Sequence, residues 1–219
     1  MSGFPGSPRL VRGGLVIIDP DTAAVQRFIA LQYNPDTLTR TLQVQGAGEG
    51  AAHAEVLRLK GPPVETIRLE AELDATDQLE APDDNPDAVQ YGLEPQLAAL
   101  EVLVYPSLAQ VQSNRILADG GMLEILPVEA PLTVFVWSRN RVMPVRITDF
   151  SITEEAFDPA LNPIRARVSL GLRVLSVNDL GFDSKASGIF MVYHQQKETL
   201  AALDHPAGGL GVLGITEIP

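Results

Sequence analysis

The chain contains no cysteine, which removes disulfides, thiolate nucleophiles and cysteine zinc sites together. That lack suits the cytosol and is equally compatible with export. Aromatic residues make up only 5% of the 219 positions, which argues against an aromatic-lined small-molecule pocket or a base-stacking platform. Basic residues are outnumbered: 16 Lys and Arg face 28 Asp and Glu, for a formal charge of −12. Phosphate binding needs a basic face, so nucleic acid is not expected as a partner. No apolar run approaches the roughly 20 residues of a membrane-spanning helix, and no membrane insertion is expected. Positions 1–14 carry Pro5, Pro8, Arg9 and Arg12 without the apolar core of a secretory signal. They are expected to be a flexible N-terminus on a protein made and kept in soluble form in the cytoplasm.

What is present is ordinary globular material, with 45% hydrophobic and 20% charged residues. A chain of this length buries a sizeable core, and all-β folds of the size are commonly one domain. Residues 15–18 are a short apolar run ended by Asp19-Pro20-Asp21, and residues 25–33 resume before Asn34-Pro35-Asp36; strand, turn and strand predict a hairpin. Residues 38–45 extend the sheet until glycines interrupt them. Between 64 and 73, Ile67, Leu69, Ala71 and Leu73 alternate with Thr66, Arg68, Glu70 and Glu72, the period of a strand with one buried face.

The acidic stretch 74–87 is expected to be a surface loop. Leu93, Leu97, Leu100, Val104 and Leu108 then recur at helical spacing, with Glu94-Pro95 suited to a first turn. Ser113-Asn114 and Asp119-Gly120-Gly121 mark turns, and 121–128 is a candidate short strand. Residues 132–137 predict a strand, 138–141 a tight turn, and 142–157 a long strand. Its apolar phase moves from Val145 and Ile147 to Phe150 and Ile152, so a bulge is expected near Thr148 or Asp149.

The strongest periodic signal runs from Ile164 to Val174, with Ala166, Val168, Leu170 and Leu172 alternating against Arg165, Arg167, Ser169 and Arg173. Pairing Phe157 with Ile164 would set Glu154 opposite Arg167. Residues 188–203 predict a helix with Gln195, Gln196, Lys197 and Glu198 solvated, and the glycine-rich tail 204–219 is expected to be extended. The fold class that follows is α+β, mainly antiparallel β. A sandwich or barrel is expected over residues 15–203, with one helix between strands and another near the C-terminus.

Candidate chemistry is sparse. Gly46, Gly48 and Gly50 lack the lysine and the βαβ setting of a phosphate loop. Asp83-Asp84-Asn85-Pro86-Asp87 lacks the spaced ligands of a calcium loop. His53, His194 and His205 share no metal-ligand spacing, and no Gly-x-Ser-x-Gly elbow is present. Glu154 and Glu155 are neighbours on a strand and so face opposite ways. No catalytic, cofactor or metal residues are assigned, and an enzyme is not expected. Arg139, Arg141, Arg146, Arg165, Arg167 and Arg173 gather on the hairpin strands of an otherwise acidic chain. They are either a self-paired solvated face or a basic belt that meets an acidic belt of the next subunit in a ring.

Two segments carry a resemblance. FIALQYNPDTLTRTL, residues 28–42, resembles the N-terminal F-x-YNP-x-x-L signature of contractile-injection-system tube proteins, the tube–baseplate adaptors of phage-tail-like particles. Residues 132–180, in particular VMPVRITDFSITEEAFDPALNPIRARVSLGLRVL at 142–175, resemble the long hairpin of the same family. The similarity spans residues 15–180. It implies a tail-tube fold assembled as a hexameric ring around a channel, joining the inner tube to the spike hub and baseplate and starting tube assembly. Tyr33, Asn34 and Pro35 match the motif and are expected to form a structural turn. Many members also carry a C-terminal LysM module. The residues after 203 are too few for one, so the tail is expected to contact a neighbouring ring by strand addition instead.

The expected function is therefore structural, with the chain itself, the inner tube protein and the hub and baseplate proteins as partners inside a contractile injection particle. The alternatives are a tail-tube or baseplate subunit of a contractile-tailed phage, or a monomeric β-sandwich that binds carbohydrate or peptide through Trp137, Tyr91, Tyr105 and Tyr193.

Overall fold

The computed structural model describes residues 11–46, 57–120, 131–204 and 209–218. Seven strands form one antiparallel sheet: β1 (Gly14–Ile18), β2 (Val25–Ala30), β3 (Leu38–Gln43), β4 (Val64–Asp74), β5 (Leu132–Ser138), β6 (Arg141–Phe157) and β7 (Pro163–Val174). Their spatial order is β2-β1-β5-β6-β7-β4-β3. The class is α+β and mainly antiparallel, as the alternating patterns imply. The sheet is open, with β2 and β3 at its two ends, so one chain does not close a barrel. β1 and β2 make the expected hairpin. β3 joins the sheet too, but at the far end beside β4.

The helices depart most from expectation. Four lie between β4 and β5 among the described residues: α1 (Thr76–Leu79), α2 (Pro86–Tyr91), α3 (Glu94–Glu101) and α4 (Leu108–Asp119). The acidic stretch read as loop thus holds α1 and the start of α2. α3 buries Leu97 and Leu100 behind Leu93 but stops at Glu101, and Val104 and Leu108 are exposed. α4 runs through Ser113-Asn114, where a turn was expected. Its Ser107 forms a capping box with Gln110, each side chain bonding the other's backbone N–H, at 3.3 and 3.0 Å. That Ser-x-x-Gln was the overlooked signal. The strand expected at 121–128 lies outside the described residues.

After β7, α5 (Lys185–Ala201) starts three residues earlier than the apolar pattern predicts, because Ser184 caps it by accepting from the Ser187 N–H at 3.2 Å. The tail is not simply extended; a short 3-10 turn occupies Gly209–Leu213.

The register arranges the core as rungs across the strands. Ile147, Leu172 and Ile67 form one, Phe150, Leu170, Leu69 and Leu38 the next, and Ile152, Val168 and Ala71 a third. α3 and α5 pack on this cluster through Leu93, Leu97, Leu100, Phe190 and Tyr193. A second cluster joins Ile18, Leu132, Val134 and Ala186. α5 contributes to both, which is why β5 is buried on both faces. No helix among the described residues is long and apolar enough to cross a membrane.

Two glycines are demanded by close approach. Gly92, at φ 58°, lets the α2–α3 corner reach β7, where Leu93 N–H donates to the Pro163 carbonyl at 2.8 Å. Gly171 lies opposite Asp149 because the expected bulge does occur, between Ile147 and Asp149. A Cβ on Gly171 would stand 2.7 Å from the Asp149 Cβ. Gly171→Ala is therefore expected to cost about 1–3 kcal/mol of stability through overpacking, measured by urea denaturation. An unchanged midpoint would show that the bulge yields freely.

Candidate assembly interface

Backbone edges come first, because an unpaired strand edge presents a row of N–H and C=O groups that call for a partner. β6 has 17 residues, yet β5 lies against it only between Val145 and Arg141. Beyond Val145, β6 has β7 on one side and no strand on the other among the described residues. The outer edges of β2 and β3 have no strand beside them among the described residues either. β2 is exposed along almost its whole length, and its Phe28 is 74% exposed. The described residues thus offer three stretches of open edge.

The sheet face opposite the core is polar over β3, β4, β7 and the outer half of β6. Its rungs are Arg146–Arg173–Thr66–Thr41, Asp149–Gly171–Arg68–Thr39, Ser151–Ser169–Glu70 and Thr153–Arg167–Glu72. Three of the six hairpin arginines are neutralised here. Arg165 bonds Asp74 at 2.9 Å, Arg167 bonds Glu155 and approaches Glu70, and Arg173 bonds Asp179. Arg139, Arg141 and Arg146 have no ion pair within the described residues, so the basic belt is only half self-paired. The pairing of Glu154 with Arg167 does not form. Phe157 lies opposite Pro163 and Glu154 opposite Ala166, with irregularities between Glu154 and Ala156 and between Ala156 and Phe157, and Glu155 takes Arg167 instead.

The hairpin tip is held by Asp158. Its Oδ1 accepts from the Ala160 and Asn162 N–H groups at 2.7 and 2.8 Å, and its Oδ2 accepts from Asn162 Nδ2 at 2.8 Å. Those donors keep the Asp158 carboxyl below the usual range. Asn162 also reaches α2, donating to the Gln90 carbonyl at 3.1 Å.

Behind the β3 edge lies the one deeply buried carboxylate among the described residues. Glu65 is 3% exposed and accepts from Arg40 Nε at 2.8 Å, Lys197 Nζ at 2.8 Å and the Tyr193 hydroxyl at 2.9 Å. Lys197 also lies 4.1 Å above the Tyr193 ring. Lys197 is therefore engaged where solvation was expected. Edge strand, neighbouring strand and C-terminal helix meet at this one group. Burial pushes the Glu65 carboxyl up, but bonds from Lys197, Arg40 and Tyr193 outweigh it and hold the carboxyl below its ordinary value. Burial and the Glu65 charge push the Tyr193 hydroxyl upward, so it stays a donor. Glu65 continues the alternation of Ile67, Leu69 and Ala71 to one more buried position. The period could have revealed it; its charge concealed it.

The remaining candidates do not converge. Asn34 accepts from the Gly13 N–H at 2.9 Å and donates to the Val11 carbonyl at 2.9 Å, tying the β2–β3 connection to the chain before β1. Tyr193 is buried, which withdraws it from any exposed aromatic surface; Tyr105 and Tyr91 are exposed. His194 is exposed, pairs with Glu198 at 3.3 Å and stacks on Phe190. His53, His205, Gly48 and Gly50 lie outside the described residues, and Gly46 forms an isolated bridge with Leu59. Among the described residues, no three acidic or histidine side chains are placed to hold a metal ion. Compared with known proteins, the chain matches no family model and no curated sequence.

A depressed Glu65 contributes stability that is fully present above the unfolded glutamate pKa of about 4.3 and lost as pH falls through the lower folded value. Glu65→Gln leaves Arg40 and Lys197 partly uncompensated. Both are about one-third exposed, so the expected cost at pH 7 is about 1–3 kcal/mol. In thermal melts at pH 7 and pH 3, the gap between wild type and variant should narrow at the lower pH. A constant gap would deny the carboxylate this role.

Proposed function

We propose that this chain is a non-enzymatic subunit of a phage-tail-like contractile injection particle. In this reading six copies form a ring that joins the inner tube to the spike hub and baseplate and starts tube assembly. The observation that carries the reading is the free edge of β6. A strand of 17 residues with a partner on one side for most of its length is an aggregation hazard in a monomer and a sheet-extending surface in an assembly. Open edges at β2 and β3 supply the second half of a head-to-tail contact, and heterologous contacts of this kind close into rings when the rotation allows. The polar face of β3, β4, β7 and β6 would remain wetted as the channel wall, while the helices on the core side face outward. Six-fold symmetry and the tube and hub partners come from the resemblance of residues 28–42 and 142–175, and the particle assembles in the cytoplasm.

Native mass spectrometry of the chain alone and with its hub and tube neighbours tests this reading. Rings, or a complex containing both neighbours, are the expected result, and a strict monomer that ignores both would overturn it. Hydrogen exchange gives a second readout. Backbone amides of residues 147–157 that point away from β7 should exchange readily in the free chain and slow by at least tenfold on assembly, while those bonded to β7 are protected in both states; equal rates for the outward amides would remove β6 from the interface.

A further inference from the structure

The tip of the β6–β7 hairpin carries a feature that folding alone does not explain. Leu161 sits at φ 70°, a left-handed conformation that glycine or asparagine adopts at less cost. It is nevertheless a leucine and is 78% exposed, with Phe157 beside it in the hairpin at 49%. An exposed apolar side chain held in a strained conformation marks a surface kept for contact rather than for the core. The strain is fixed from below: Leu161 N–H donates to the Asp158 carbonyl at 3.0 Å, and Asp158, Asn162 and α2 brace the loop. The tip is therefore rigid before any partner arrives, which lowers the entropic cost of docking.

Charge is distributed along the same strand. Between Arg146 and Arg165 every charged residue is acidic, namely Asp149, Glu154, Glu155 and Asp158, and the bracing helix α2 adds Asp87. At the opposite end of β6, roughly 50 Å away at the usual strand rise, the β5–β6 turn carries Arg139 and Arg141. Neither has an ion pair among the described residues, and the half-buried Trp137 lies two residues before Arg139.

We propose that the hairpin tip is the plug of a head-to-tail contact between copies of this chain. Leu161 and Phe157 seat against the β5–β6 turn end of the next copy, beside its Trp137, with Glu154 and Asp158 facing its Arg139 and Arg141. Complementary charge at the two ends of one strand makes the contact heterologous, so each copy is plug to one neighbour and socket to the other. This inference rests on the ring reading and adds to it which surfaces meet.

The test uses the full chain and reads its self-association by native mass spectrometry and light scattering across protein and salt concentration. Leu161→Gly removes the plug while relieving the strain. It is expected to keep or raise the thermal midpoint while weakening association at least tenfold. The double variant Arg139→Glu with Arg141→Glu, at the far end of the molecule, should weaken association similarly, and adding Glu154→Lys should restore part of it. Wild-type association in both Leu161→Gly and the arginine double variant would overturn the plug while leaving the ring reading intact. A wild-type chain that stays monomeric, alone and with hub and tube neighbours, would instead overturn the ring reading and the plug with it.

Discussion

The ladder between β6 and β7 is the constraint on which the rest of the structure depends. β7 passes its register to β4 and then to β3, and β6 passes its own to β5, β1 and β2. Because side chains alternate with period two, a slip of one residue anywhere in that ladder would exchange the buried and solvated faces of four strands. The bulge between Ile147 and Asp149 lets one long strand serve both ends. Before it, Val145 and Ile147 are on the core side; after it, Phe150 and Ile152 take over. Gly171 is the matching concession on the partner strand, since any side chain there would meet Asp149.

Helix docking depends on a different kind of interaction. α5 has two apolar footholds, Phe190 and Ala186, and a polar one at Tyr193 and Lys197. Apolar packing supplies affinity but little direction. The Glu65 carboxylate accepts from three side chains on two elements and so ties α5 to the β3 edge. A buried carboxylate is costly unless bonded so completely, and here its bonds give the docking of α5 a direction as well as a contribution to stability at neutral pH.

These two features bear on the functional reading through what they leave uncovered. α3 packs on the core face of the sheet and α5 reaches both apolar clusters, while the other face of β3, β4 and β7 is a lattice of short polar side chains and paired ions. Among the described residues, the edges of β2, β3 and outer β6 stay open. Acidic residues lie along outer β6 and at its hairpin tip, α2 adds Asp87, and Arg139 and Arg141, without an ion pair among the described residues, stand at the β5–β6 turn. This polarity along one strand is what the proposed end-to-end contact between copies would use.

The sequence by itself determined the strands, since strict alternation at 64–73 and 164–174 leaves only one face to bury. It also determined the bulge near Thr148, through the change of apolar phase that no straight strand tolerates. Local chemistry decided the capping box of α4 and the Ser184 cap as well, legible in Ser-x-x-Gln and in a serine preceding a helical stretch. What only the tertiary structure decided is the placement of β3 at the far edge beside β4, the open rather than closed sheet, and the convergence of Arg40, Glu65, Tyr193 and Lys197. Periodicity reports which face of a strand is buried; it carries no information on which distant strand lies beside it. The pairing of Arg167 with Glu155 rather than Glu154 has the same origin, because the irregularities on either side of Ala156 re-aim Glu155 locally.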